Sequence, residues 1–196
     1  MLDNAQRATI HARLKREGAT AIWVYASGLY GDDSAGVELI HNLTGFTVRR
    51  ETWGKPLHVV DAEGVLLAGD KSDVDPVFIP DVSGAEELGH TEDANFAGLA
   101  RRSMGTWTSV FCSAPRLMPD TLRRLARDAR CHVYLGTGDA LFVDNQFVCV
   151  HASTGGDKVV ELREPRRPRA LFGTPTLRAE GTLLHFAMEA NETVLL

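Results

Sequence analysis

The chain has 196 residues with a formal net charge of −5, 44% of them hydrophobic and 24% charged. That is the composition of a globular protein with room for one large domain, or for a medium domain and a small companion. The acidic balance gives no footprint for nucleic acid or an anionic membrane surface, and no apolar run approaches membrane-spanning length. The three cysteines (Cys112, Cys131, Cys149) lie in apolar runs without CxxC spacing, which points to free buried thiols in a reducing compartment. The segment Met1–Arg7 lacks the apolar core of a signal peptide, so a cytoplasmic location is expected. The seven histidines fall at no metal-ligand spacing, and neither a metal nor a cofactor is expected.

In chain order, Asp3 or Asn4 can cap a first helix running to about Glu17, with Gly18 as its left-handed exit. Ile10 and Leu14 make only a narrow apolar stripe. The run Ala19–Ala26 is strongly apolar and reads as the first strand of a parallel sheet. After the loop Ser27–Asp33, Ser34 caps a short helix that places Val37, Ile40 and Leu43 inward and stops at Gly45. Short β elements follow between Lys55 and Asp81, punctuated by Gly64, Gly69-Asp70 and Asp75-Pro76. Phe96–Arg101 and Thr106–Phe111 form a hairpin through Ser103-Met104-Gly105.

Thr106–Cys112 reads as a buried strand, and Pro119-Asp120 opens a helix with Leu122, Leu125, Ala126 and Ala129 at helical spacing. Cys131–Leu135 reads as a second strand, which makes a βαβ unit with parallel strands. Beyond Gly138, strands at short spacing around Asp144-Asn145-Gln146 and Gly155-Gly156-Asp157 describe an antiparallel β segment. The basic cluster Arg163-Glu164-Pro165-Arg166-Arg167-Pro168-Arg169 reads as a solvated loop in preference to a polyanion site. The predicted architecture is α/β: a flavodoxin-like sheet with helices over residues 1–139, then a small antiparallel β-sandwich-like domain over 140–196.

The order of a WVYA strand, an SGLYG loop, Met104–Phe111, a PDTLRRLARDA helix and the run from Ala129 to Tyr134 resembles a known group. It is similar to the class I glutamine-amidotransferase-like module C-terminal to the catalytic barrel in family 42 β-galactosidases. This β-galactosidase trimerisation domain carries a small trailing β domain. The resemblance implies an oligomerising or accessory module, with a second copy of the chain or a glycosidase barrel as partner. It carries no catalytic residue over, because that family's carboxylates belong to the barrel, and a barrel needs about 250 residues.

Cys112 is the one candidate nucleophile, since true amidotransferases place a cysteine on a strained strand-to-helix elbow. Such an elbow needs flanking glycines. Phe111-Cys112-Ser113-Ala114-Pro115 has none, which favours a structural thiol over a small cysteine-dependent hydrolase or amidotransferase-like enzyme. The loop after the first strand is the candidate ligand site, because open parallel sheets bind at the carboxyl ends of their strands. There Ser27, Tyr30 and Asp32 could meet a carbohydrate, with Ser113 and Asp139 expected on the same side. A glycan-binding module using Tyr30, Trp53 or Trp107 is a further alternative.

Overall fold

The computed structural model describes residues 1–15 and 18–196, and its backbone contacts divide the chain into Met1–Leu122 and Arg123–Leu196. The expected end of the first helix at Arg16 and Glu17 lies outside the described residues.

In the first unit, helix α1 (Asn4–Leu14) starts on Asp3. The Asp3 carboxylate accepts from the Gln6 amide at 2.6 Å, while the Gln6 side chain accepts from the Asp3 amide. Strand β1 (Ala19–Val24) and helix α2 (Val37–Thr44) follow. A run of short strands comes next: β2 (Val48–Glu51), β3 (Lys55–Pro56), β4 (Val59–Val60), β5 (Leu66–Ala68), β6 (Asp73–Val74) and β7 (Val77–Pro80). The longer β8 (Glu86–Thr91), β9 (Ala97–Ser103) and β10 (Trp107–Cys112) lead into helix α3 (Pro119–Asp128). The main sheet has the order β1-β10-β9-β8-β4-β5, and β2·β7 and β3·β6 form two-stranded ribbons.

This is not the expected flavodoxin-like or amidotransferase-like α/β fold. Only β1 and β10 run parallel, with Ala19 opposite Trp107 and Val24 opposite Cys112; every other pair in the main sheet is antiparallel. Three helices occur among the described residues, against sixteen strands, so the chain is β-rich. The physical reason lies in the connections. Asp61 accepts from the Glu63 and Val65 amides, Asp70 from that of Ser72 and Asp81 from that of Ser83, all at 2.8–3.1 Å. Each carboxylate closes a tight turn, whereas a parallel crossover needs a dozen residues or more. The expected hairpin through Met104-Gly105 does form, closed by the Met104 amide on the Trp107 carbonyl at 2.9 Å.

The βαβ unit fails at its second strand. Cys131–Leu135 never joins the main sheet; Leu135 instead makes a single antiparallel bridge to Val160. That part of the chain belongs to the second unit, built from β11 (Ala140–Val143), β12 (Val148–His151), β13 (Gly156–Glu161), β14 (Arg178–Glu180), β15 (Leu183–Met188) and β16 (Thr193–Leu195). These make two antiparallel sheets, β11-β12-β16 and β13-β15-β14. Val150, Val160, Leu184, Phe186, Met188 and Val194 from both sheets share one core.

In the first unit, β8 and β9 are irregular where Gly89 faces Leu99 and His90 faces Ala97, leaving Gly98 as a bulge. A methyl group on Gly98 would lie 2.5 Å from a Val59 methyl. Gly98→Ala should therefore destabilise the unit by about 1–3 kcal/mol through overpacking. Urea unfolding followed by tryptophan fluorescence measures this, and adding Val59→Ala should recover much of the loss.

Candidate functional site

The carboxyl ends of β1 and β10 lie side by side, and the chain turns sharply after each. Tyr25 leaves β1 with φ 58°, donates its amide to the Cys112 carbonyl at 2.7 Å, and sends its hydroxyl to the Pro76 carbonyl at 2.7 Å. Burial, with Asp75 nearby, pushes the Tyr25 phenol upward. Ser27 is occupied: its hydroxyl donates to the Val24 carbonyl at 2.9 Å and accepts from the Val24 amide at 3.2 Å.

A residue that sequence reasoning did not single out organises this loop. Arg7 is a buried arginine whose guanidinium donates to the carbonyls of Leu39 (2.8 Å), Gly28 (2.7 Å) and Tyr30 (3.1 Å), with Nε on Leu2 (3.2 Å). Among the described residues no carboxylate bonds it; one planar fork satisfies carbonyls from α2, the loop and the N-terminus. Gly28 is required beneath it, with φ 86° and a would-be Cβ 2.7 Å from Leu43. The signal was present in the sequence, since Arg7 shares the narrow stripe of Ile10 and Leu14.

Tyr30 is 59% exposed and its ring stands free at the surface. Asp32 accepts a long bond from the Asn4 amide at 3.4 Å, so it closes the loop onto α1. Tyr30 and Asp32 thus share the loop with Ser27, but Ser113 does not open towards solvent. It is fully buried, its amide donates to the Gly98 carbonyl at 2.8 Å, and its hydroxyl has no partner among the described residues. Cys112 is equally buried, and burial pushes its thiol up to about 12. A thiol in that state stays protonated at neutral pH, and no imidazole bonds it among the described residues. Trp107 is buried in β10, while Trp53 packs edge-on against Phe96 with the Lys55 ammonium 4.6 Å from its ring centre.

Asp139 belongs to the second unit, where it is a structural anion. Its side chain is 0% exposed and pairs with Lys158, 2% exposed, at 2.7 Å. Thr137 donates to the same carboxylate at 2.5 Å and the Ser153 amide at 2.8 Å, while the Lys158 ammonium also donates to the Thr154 carbonyl. Burial alone would raise this carboxyl; the Lys158, Thr137 and Ser153 donors outweigh it and hold it well below the usual carboxylate range. Among the described residues no group of His, Cys, Asp and Glu forms a metal-ligand cluster.

No protein-family model matches the sequence, and no curated protein matches it. Among solved structures, the β-galactosidase from Bacillus circulans sp. alkalophilus matches 100% of this chain with TM-score 0.62 and 13% identity. The cold-adapted β-galactosidase from Rahnella sp. R3 matches 100% of it with TM-score 0.64 and 13% identity. This chain spans 31% of each of those chains, and its fold is that of a segment of them.

Two predictions come from this geometry. Arg7→Met should cost about 3 kcal/mol, because it orphans several buried carbonyls at once. Hydrogen exchange should then rise first at Gly28–Gly31, and exchange unchanged there would refute the role given to Arg7. For Asp139 the folded carboxyl titrates below its unfolded value of about 3.9. Its contribution is therefore present above about pH 4 and is lost as the pH falls further. Asp139→Asn should weaken the second unit by about 3 kcal/mol at pH 7 by leaving Lys158 without its anion, and should flatten the acid limb of its pH–stability curve. Exchange rates across β12 and β13 between pH 7 and pH 3 give the measurement.

Proposed function

We propose that this chain is a non-catalytic accessory module that assembles with the catalytic segment of a glycoside hydrolase. The observation that carries the reading is the correspondence along the whole chain with just under a third of two β-galactosidase chains. A shared fold alone does not carry an activity. Two features of this chain support the same reading. The cysteine considered as a nucleophile is buried and protonated, which removes the support for a cysteine-dependent hydrolase. The second unit also presents an apolar row on the face of β11-β12-β16 turned away from its core.

That row follows from register. Phe142 faces Cys149, Cys149 faces Leu195, and Leu195 bridges Phe172. Phe142 is 69% exposed and Phe172 62% exposed. The alternate residues Leu141, Val150 and Val194 point into the core. Two phenylalanines left in water at the ends of one row are the kind of patch that an assembled partner covers. The occupant proposed is the glycosidase catalytic segment, with a second copy of this chain as the competing outcome.

The test has two arms. The isolated chain should give no turnover of nitrophenyl β-galactoside; turnover abolished by replacing one carboxylate would overturn the non-catalytic reading. The chain should co-elute with the catalytic segment of a glycosidase from its own organism, and Phe142→Ser with Phe172→Ser should weaken that association about tenfold or more. A chain that stays monomeric and unbound at high concentration in light scattering would overturn the assembly role.

A further inference from the structure

The basic cluster at 163–169 is an exposed loop, as the sequence suggests, but its side chains do not all simply face open water. It lines an open cleft of about 1190 Å³ in the second unit, facing the Asp144–Phe147 turn and Tyr134. That volume is above the range of about 300–1,000 Å³ usual for small-molecule sites.

The arginines differ in how far they are already used. Arg163 donates Nε to the Tyr134 hydroxyl at 3.0 Å, with its guanidinium 5.9 Å from that ring's centre. Arg166 pairs with Glu164. Arg167 and Arg169 are exposed and have no hydrogen bond or ion pair among the described residues. The other acid of the cleft, Asp144, is turned onto its own loop and accepts from the Gln146 and Phe147 amides, each at 2.7 Å. Those two amides hold its carboxyl below the usual range, and the bonded oxygen faces the turn instead of the arginines. Beside the guanidiniums stand the side-chain amides of Asn145 and Gln146, which bond nothing among the described residues, and the ring of Phe147 at 40% exposure.

From this placement we infer that the cleft binds an oligosaccharide carrying carboxylate or sulfate groups. Guanidinium forks match a planar or tetrahedral oxyanion with two parallel hydrogen bonds. Free carboxamides suit neighbouring hydroxyls, and the Phe147 ring suits the apolar face of a sugar. The size of the cleft calls for several linked rings. A nucleic-acid strand fits less well, because it asks for a series of stacking rings along a charged track, and the whole chain carries −5. The choice of a sugar over another anion rests on the glycosidase association proposed above.

Calorimetric titration of the full chain tests this with tetragalacturonate, a sulfated tetrasaccharide and neutral galactotetraose at about 50 mM salt. At least one charged ligand should bind saturably, with affinity falling as salt rises, and the neutral one should not bind at the same concentration. Binding of only the uronate or only the sulfate identifies the oxyanion recognised. Arg167→Gln with Arg169→Gln should weaken binding about tenfold or more while leaving thermal unfolding unchanged, since both side chains are exposed. Arg178→Gln, on β14 and outside the cleft lining, should leave binding as it is. Equal binding of neutral and charged sugars overturns the inference. So does unaltered binding by the double variant, or binding of polyglutamate or an oligonucleotide as tight as that of the glycan. All of this is read on the isolated chain, so failure here leaves the co-elution experiment to decide the assembly role by itself.

Discussion

Everything in the first unit hangs on β10 being hydrogen-bonded along both edges. On one side it runs parallel to β1, on the other antiparallel to β9, and Ser109 to Ser113 are fully enclosed. A strand in that position has no backbone donors or acceptors left for a ligand. Its one polar side chain facing α2 is also committed. The Trp23 indole donates to the Ser109 hydroxyl at 3.0 Å, which donates to the Thr44 carbonyl at 2.5 Å; the Thr44 hydroxyl closes on Ile40 at 2.9 Å. Phe111 completes the same face with Ile40, Phe46 and Phe78. The enclosure that makes β10 a good core strand is what denies Cys112 a thiolate, so structural and chemical roles exclude each other at this position.

The cations of the molecule show how partners, more than residue type, decide a side chain's use. Taking a charge out of water costs several kcal/mol unless hydrogen bonds replace the hydration. Arg7 meets that demand with four backbone carbonyls, which suits a delocalised, weakly hydrated guanidinium. Lys158, a compact ammonium, has both a carboxylate and a carbonyl. Arg167 and Arg169 have neither among the described residues and are exposed. A buried cation with a full set of acceptors is a fastening and cannot be spared for a ligand. A hydrated one beside neutral amides keeps its capacity to bind.

Local features were legible in the sequence because short-range chemistry sets them. The Asp3 cap, the start of α3 at Pro119, the turn at Met104-Gly105 and the exit at Gly45 all depend on residues within four positions of each other. Strand direction is not of that kind. An apolar run such as Cys131–Leu135 looks the same whether it enters a parallel sheet or, as here, makes one antiparallel bridge at Leu135. Gly69-Asp70 was visible as a breaker, yet the part that the aspartates at 61, 70 and 81 play in closing turns needed the hydrogen bonds they accept. Asp139 stood out as a carboxylate after a glycine, and its partner could be known only once β13 brought Lys158 beside it.

A fold shared at 13% identity with segments of longer chains constrains the interior far more than the surface. Interiors tolerate exchange among apolar residues of similar volume, so the pattern persists when the letters do not. Such exchange does not account for two exposed phenylalanines terminating one row of a sheet, or for Arg167 and Arg169, which lack partners among the described residues, in a roomy cleft of the same unit. Neither feature helps the unit fold. An exposed phenylalanine forgoes the gain of burial, and neighbouring guanidiniums repel one another unless an anion lies between them. Groups that add nothing to stability where they stand are best explained by what comes to lie against them, an apolar partner on the row and an oxyanion in the cleft.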